Sequence, residues 1–206
     1  MDWSELNCYR ESIHKRFPGI WDLKIVKKRL PVLLKHIQNG DRILEIGAYD
    51  RKLGEKIKAH LPRVEYRSMD IDRSLYHDYY TLKDVEGKFN EVLLFEVIEH
   101  LDVEEGVKLL KKIHELLYPG GKLILSTPNV MNPVRVWQDG LTHRVRYYYE
   151  ELGSLLLSQG FEVVHIYRVF NDAFFRYLVK VYLFSLLHRY LGIDFAKSIL
   201  VVAKRN

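Results

Sequence analysis

Glu96, Glu99 and His100 follow one short apolar run, at the i, i+3, i+4 spacing that shares a face if the segment turns helically. His143, well downstream, is placed to complete a cluster of two carboxylates and two imidazoles. That donor set suits a divalent cation such as Mg²⁺, Mn²⁺, Fe²⁺ or Zn²⁺. A hydroxyl bound to such an ion loses its proton near neutral pH and becomes a nucleophile. Without a metal, His143 or His100 becomes the candidate general base, because an unperturbed imidazole titrates near neutrality. In the plainest reading, Glu99 and His100 only brace a helix start.

A second group has the character of a nucleotide site. Glu45 lies in the run Arg42–Ile46, which ends at Gly47, and the next strand-like run ends at Asp70. A glycine after a strand lets the chain bend sharply and lets a ligand approach the backbone. An acid ending the following strand can accept hydrogen bonds from both hydroxyls of a ribose.

These residues need a scaffold that delivers strand ends to one place. Arg42–Ile46, Glu65–Met69, Glu91–Phe95 and Lys122–Ser126 are short, apolar and bounded by Gly, Asp or Pro, as strands are. Helical spacing over Leu53–His60 and Val103–Leu117 alternates with them. Asp102 with Glu105 makes a capping-box pattern, and Pro119-Gly120-Gly121 stops the second helix. Beyond Ser126 the pattern predicts a loop to Tyr147, a helix to Gln159 and a strand Phe161–Phe170. A long apolar helix, Ala173–Tyr190, and a last strand, Ser198–Lys204, follow. The first 40 residues read as helical, broken near Pro18-Gly19. Strands alternating with helices imply an α/β domain with a mostly parallel sheet covered on both faces, binding its ligand beyond the strand ends.

The motifs narrow this further. Phe89-Asn90-Glu91-Val92-Leu93-Leu94-Phe95-Glu96-Val97-Ile98-Glu99-His100-Leu101 resembles the F-D-x-V-x-x-x-E-V-x-E-H-L motif of class I S-adenosylmethionine (SAM)-dependent methyltransferases. The stretch Leu117–Asn129 is similar to their L-x-P-G-G-x-L-x-x-S-x-P-N segment. His143–Tyr148 and Gly160–Val163 are similar to their later H-x-R-x-Y and G-F-E-V marks. The likeness runs in order from Arg42 to Val169. It implies a Rossmann-like, seven-stranded sheet and SAM as cofactor. It gives Glu45, Gly47, Tyr49 and Asp70 to cofactor binding, sets the backbone at Phe95 beside the sulfonium, and puts Asp78 near the adenine. E-x-x-E-H with a later His is similar to two metal-using groups, the small-RNA 3′-terminal 2′-O-methyltransferases and the ubiquinone-pathway O-methyltransferases. That likeness implies Mg²⁺ or Mn²⁺ at Glu96, Glu99, His100 and His143.

One loop departs from the pattern. The family's G-x-G-x-G reads Gly47-Ala48-Tyr49-Asp50-Arg51. Catechol-type methyltransferases tolerate G-A-Y, which accommodates Tyr49. Arg51 either opens the helix harmlessly or crowds the cofactor and marks a degenerate, non-catalytic interaction subunit.

Composition sets the outer bounds. The chain has 206 residues, enough for one domain, with 48% hydrophobic and 29% charged residues, an ordinary water-soluble mixture. Cys8 is the only cysteine, so there is no disulfide framework, and the polar first 20 residues point to a cytoplasmic protein. The net charge of +5 is concentrated at both ends. Residues 171–197 form an apolar insertion before the last strand, interrupted by cations too often to span a bilayer. It has three readings: a lid, a homodimer interface, or a contact with a membrane surface or lipid-linked acceptor. The favoured activity is O-methylation of a hydroxyl on a sugar, a lipid-linked glycan or a phenolic small molecule. The rival is RNA 3′-terminal 2′-O-methylation, for which the basic ends speak and the absence of an RNA-binding module speaks against.

Overall fold

The computed structural model describes residues 3–134 and 140–206. Its elements are α1 (Trp3–Arg16), β1 (Lys24–Val26), α2 (Leu30–His36), β2 (Arg42–Ile46), α3 (Lys52–His60), β3 (Glu65–Met69), β4 (Phe89–Phe95), α4 (Val103–Leu116), β5 (Leu117–Pro128), α5 (Tyr149–Ser158), β6 (Phe161–Val169), α6 (Phe174–Leu178), α7 (Ser185–Leu191) and β7 (Ser198–Arg205). The strands form one sheet in the order β1-β6-β7-β5-β4-β2-β3. Every neighbouring pair is parallel except those made by β7, which runs antiparallel to β5 and β6. This is the Rossmann-like, mostly parallel sheet of the class I methyltransferases that the motifs predict.

The core follows strand periodicity. Leu44, Val92, Leu94, Leu123 and Leu125 face one side, against α1, α4 and α5. Ile43, Leu93 and Ile124 face the other, with Val32 and Leu33 of α2 and Ile57 of α3. All eight of these strand residues are fully buried, as expected of strands covered on both faces. Glu105 Nα donates to Asp102 at 2.8 Å and Asp102 Nα to Glu105 at 3.0 Å, completing the predicted capping box.

Three elements differ from the sequence reading. The N-terminal region is not wholly helical: Lys24–Val26 pairs in parallel with Tyr167–Val169. The strand read as Lys122–Ser126 is longer: α4 ends at Leu116 and β5 begins at Leu117, running through Pro119-Gly120-Gly121 with Gly120 at φ 79° and a register shift opposite Phe89–Glu91. The long helix is broken into α6, a π-turn at Val179–Leu183, and α7. On an ideal α-helix Lys180 and His188 would diverge by about 80°. The wide turn brings both inward, Lys180 to Asp172 at 2.9 Å and His188 against Phe195 at 4.6 Å between ring centres. The central part of the predicted 127–147 loop, residues 135–139, lies outside the described residues.

Candidate active site

A cleft of about 800 Å³ opens beyond the ends of β2, β3 and β4. Gly47, Asp70, Glu96 and His100 line it, with apolar walls from Met69, Ile71, Leu82, Val97 and Leu101. Asp70 is tied in place by the backbone: its Oδ2 accepts from Tyr49 Nα at 2.9 Å and its Oδ1 from Asp72 Nα at 3.0 Å. Each oxygen keeps a further lone pair, which is what a pair of ribose hydroxyls requires.

The altered glycine loop keeps a glycine-like path. Gly47, Tyr49 and Arg51 stand at φ 75°, 41° and 58°, left-handed at each position where the family pattern has glycine. At Gly47 a Cβ would come within 2.3 Å of the Val97 Cγ2 methyl, so any side chain there would force Val97 aside. Tyr49 projects outward, 69% exposed. Arg51 turns away from the cleft: its guanidinium stacks over Tyr76 at 5.2 Å and pairs with Asp78 at 3.5 Å. Arg51 thus stands at the start of α3, outside the residues that line the cleft. Asp78 is likewise occupied elsewhere, accepting from Ser68 Nα at 2.8 Å and Oγ at 2.9 Å and pairing with Arg67. Burial opposes its charge, but these bonds prevail and hold the carboxyl below its usual range.

Glu45 is buried one residue before the end of β2, and its Oε2 accepts from the Tyr66 hydroxyl at 2.5 Å. Burial pushes its carboxyl up to about 7, with Tyr66 and the nearby Arg29 acting in the opposite sense. Arg29 comes from the turn that enters α2. Its guanidinium lies 4.9 Å over the Phe95 ring and donates to Ser126 Oγ at 2.9 Å. Ser126 in turn donates to Glu96 at 2.7 Å, and Arg29 is 3.5 Å from the same carboxylate.

The expected four-residue cluster divides. Glu99, His100 and His143 place one ligand atom each within 4.8 Å of one another. Glu96 stays apart on Ser126 and Arg29. It sits at φ 54°, and Val97 is still non-helical, so the one-turn helix covers only Ile98–His100 and no common helical face includes residue 96. His143 reaches the cluster because Arg144 and Val145 donate their backbone N–H groups to Glu99 O at 2.8 and 3.2 Å. The rings of His100 and His143 meet edge to face at 4.7 Å. Glu99 is 1% exposed and accepts from Thr127 Oγ1 at 3.1 Å.

Against known proteins, a methyltransferase-domain family model matches residues 14–166. The chain belongs to this methyltransferase family. Among solved structures, a SAM-dependent methyltransferase from Archaeoglobus fulgidus is 19% identical, with a TM-score of 0.67 over 96% of this chain and 100% of that one. The N-methyltransferase NodS from Bradyrhizobium japonicum WM9, in complex with S-adenosylhomocysteine, is 15% identical, with a TM-score of 0.55 over 86% and 82%. An O-methyltransferase-like protein from Nostoc punctiforme PCC 73102 is 20% identical, with a TM-score of 0.62 over 85% and 54%. At these identities the likeness is one of fold. Among curated proteins none matches the chain.

The chain is thus a SAM-dependent methyltransferase, and SAM is the cofactor of its family. Several residues beside this methyltransferase's cleft carry no sequence signal. Arg29 arrives from outside the motif block, and Tyr66 is an ordinary strand aromatic until its hydroxyl meets Glu45. Tyr147, within a tyrosine run that reads as packing, is 5% exposed. Burial first, and Glu99 second, push its hydroxyl up to about 12.

Proposed function

We propose that this methyltransferase moves the SAM methyl group to a hydroxyl of a sugar, lipid-linked glycan or phenolic acceptor held at Glu99, His100 and His143. The convergence of those three side chains beside a cleft that His100 also lines is the observation that carries the reading. In this reading Asp70 takes the ribose hydroxyls, and the backbone at Gly47, Tyr49 and Phe95 follows the methionine and sulfonium. Glu45 and Arg29 face the charged end of the methionine, a carboxyl partly protonated near neutrality beside a fixed cation. The imidazole of His143 or His100 takes the acceptor proton as the oxygen attacks the methyl carbon. The sulfur–carbon bond breaks and S-adenosylhomocysteine leaves. Much of the acceleration comes from alignment of the oxygen with the methyl.

One carboxylate and two imidazoles also fit a divalent cation such as Mg²⁺ or Mn²⁺. Glu99, His100 and His143 would hold it, and the ion would supply acidification of the acceptor hydroxyl. Turnover of sugar and phenolic acceptors, measured with and without EDTA, tests the reading. Loss of activity on chelation, restored by Mn²⁺, supports the metal; EDTA-insensitive turnover abolished by His143→Ala supports the imidazole base. Failure of every hydroxyl acceptor while an amine is methylated overturns O-transfer.

A second reading rests on Lys83, Lys108 and Lys112, which line the same cleft. Three cations at the mouth favour an acceptor bearing phosphate, an RNA 3′ end among them. Methylation of a short RNA with a free 2′-hydroxyl, and not of the same RNA already 2′-O-methylated, would establish it.

A further inference from the structure

Residues 174–191 leave the C-terminal end of β6 and return to β7, at the sheet edge where β2, β3 and β4 open onto the cleft. The inner side of this segment is anchored. Lys180 binds the buried Asp172, Tyr177 packs edge-on against Phe170 at 5.7 Å, and His188 is 6% exposed. The outer side is a different surface. Phe174, Phe175, Tyr182, Leu183, Leu186 and Tyr190 are each between 57% and 88% exposed. Six large apolar side chains so exposed on one short segment put on the order of several hundred Å² of apolar surface in water, as much as the largest patches of monomeric proteins.

Within the segment itself the charge has one sign. Between Asp172 and Asp194 the sequence contains no Asp or Glu, while Arg176, Lys180 and Arg189 punctuate it. The two flanking aspartates are buried and committed inward, Asp172 to Lys180 and Lys197 and Asp194 to Arg168. Lys27, from the neighbouring edge, lies 5.3 Å over the Phe174 ring, and Arg189 faces the exposed Asp22 at 3.8 Å. Aromatic and leucine side chains rimmed by cations are the composition of an interfacial membrane segment facing anionic headgroups. No described helix is long and apolar enough to cross a bilayer, so the segment would lie along the surface.

We propose that the outer face of 174–191 docks on an anionic lipid surface, turning the cleft edge of the sheet toward the membrane. The docking is independent of which hydroxyl is methylated, and its test does not use turnover. Purified protein is floated with vesicles of phosphatidylcholine alone or with about one third phosphatidylglycerol, where anionic lipid should strengthen binding to basic segments. Binding to the anionic vesicles is expected, and should weaken by at least about tenfold in a Phe175→Ser, Leu186→Ser, Tyr190→Ser variant, since affinity scales with buried apolar area. Unchanged SAM affinity by calorimetry shows that this variant is folded. The single Arg176→Glu variant changes charge alone and should lose preference for the anionic vesicles. Failure of wild type to bind either vesicle overturns the proposal. A wild-type dimer in light scattering that ignores vesicles and becomes monomeric in the triple variant overturns it too, and assigns the face to a second copy.

Discussion

The backbone N–H of Tyr49 donates to the carboxylate of Asp70 at 2.9 Å, so the loop after β2 and the end of β3 are held as one unit. An acid there shapes the loop and keeps outer lone pairs open toward the cleft. Asp70→Ala should weaken SAM binding by about 1.5–3 kcal/mol, the range for hydrogen bonds to a charged group. Calorimetric titration checks this, and equal affinity in both proteins would remove Asp70 from the site.

Glu45 gives a pH dependence with a definite sign. Its folded pKa of about 7 lies above the ordinary 4.5, so the proton is bound more tightly in the folded state. Stability from this group is fully present below pH 4.5 and is lost as pH rises through 7. Glu45→Gln removes that loss. Without cofactor, the variant should gain on wild type between pH 5 and 8 by at most about 3 kcal/mol. Urea unfolding at the two pH values measures it, and a pH-independent difference would contradict the burial argument.

Left-handed Tyr49 carries a backbone cost that glycine would not, roughly 1 kcal/mol. Because its side chain is largely exposed, Tyr49→Gly should raise the unfolding free energy by up to about 1 kcal/mol, less the entropy cost of glycine. Arg51→Gly relieves the same strain but gives up the Asp78 pair and the stacking on Tyr76, so it should gain less. Denaturant midpoints of the two variants should rank in that order.

Metal binding at this cluster would separate the glutamates. Titration with Mn²⁺ should show a site in wild type and in Glu96→Ala, and none in Glu99→Ala or His143→Ala, because Glu96 lies outside the three-residue cluster. Loss in Glu96→Ala alone would mean that the cluster rearranges around the ion.

The cleft beyond the sheet was legible because the residues expected there are strand ends. Once β2, β3 and β4 are recognised, Gly47, Asp70 and Phe95 have a place in the fold. The acceptor half was less so. Helical spacing grouped Glu96 with Glu99 and His100, but a left-handed residue 96 breaks the helix geometry on which that grouping depends. Arg29 was invisible because β1 has only three residues, Lys24–Val26, too few to show a period. Its position at Phe95 and Ser126 is a property of tertiary packing. The insertion was recognisable as apolar, while its π-turn depends on which residues must face inward.

In the sheet, β1 and β6 join the other strands only through β7, which lies between β6 and β5. Of the seven strands β7 is the last to be synthesised, whereas Arg29 precedes every strand but β1. During translation β2 to β5 can pair as they emerge, so the cleft at their ends can assemble early. The strand that steers Arg29 toward it must wait for partners more than a hundred residues later. Such long-range closure is the slow kind. A pulse-labelling experiment on the nascent chain should therefore find β1 amides unprotected until Ser198–Arg205 has emerged, long after β2 and β4 have become protected.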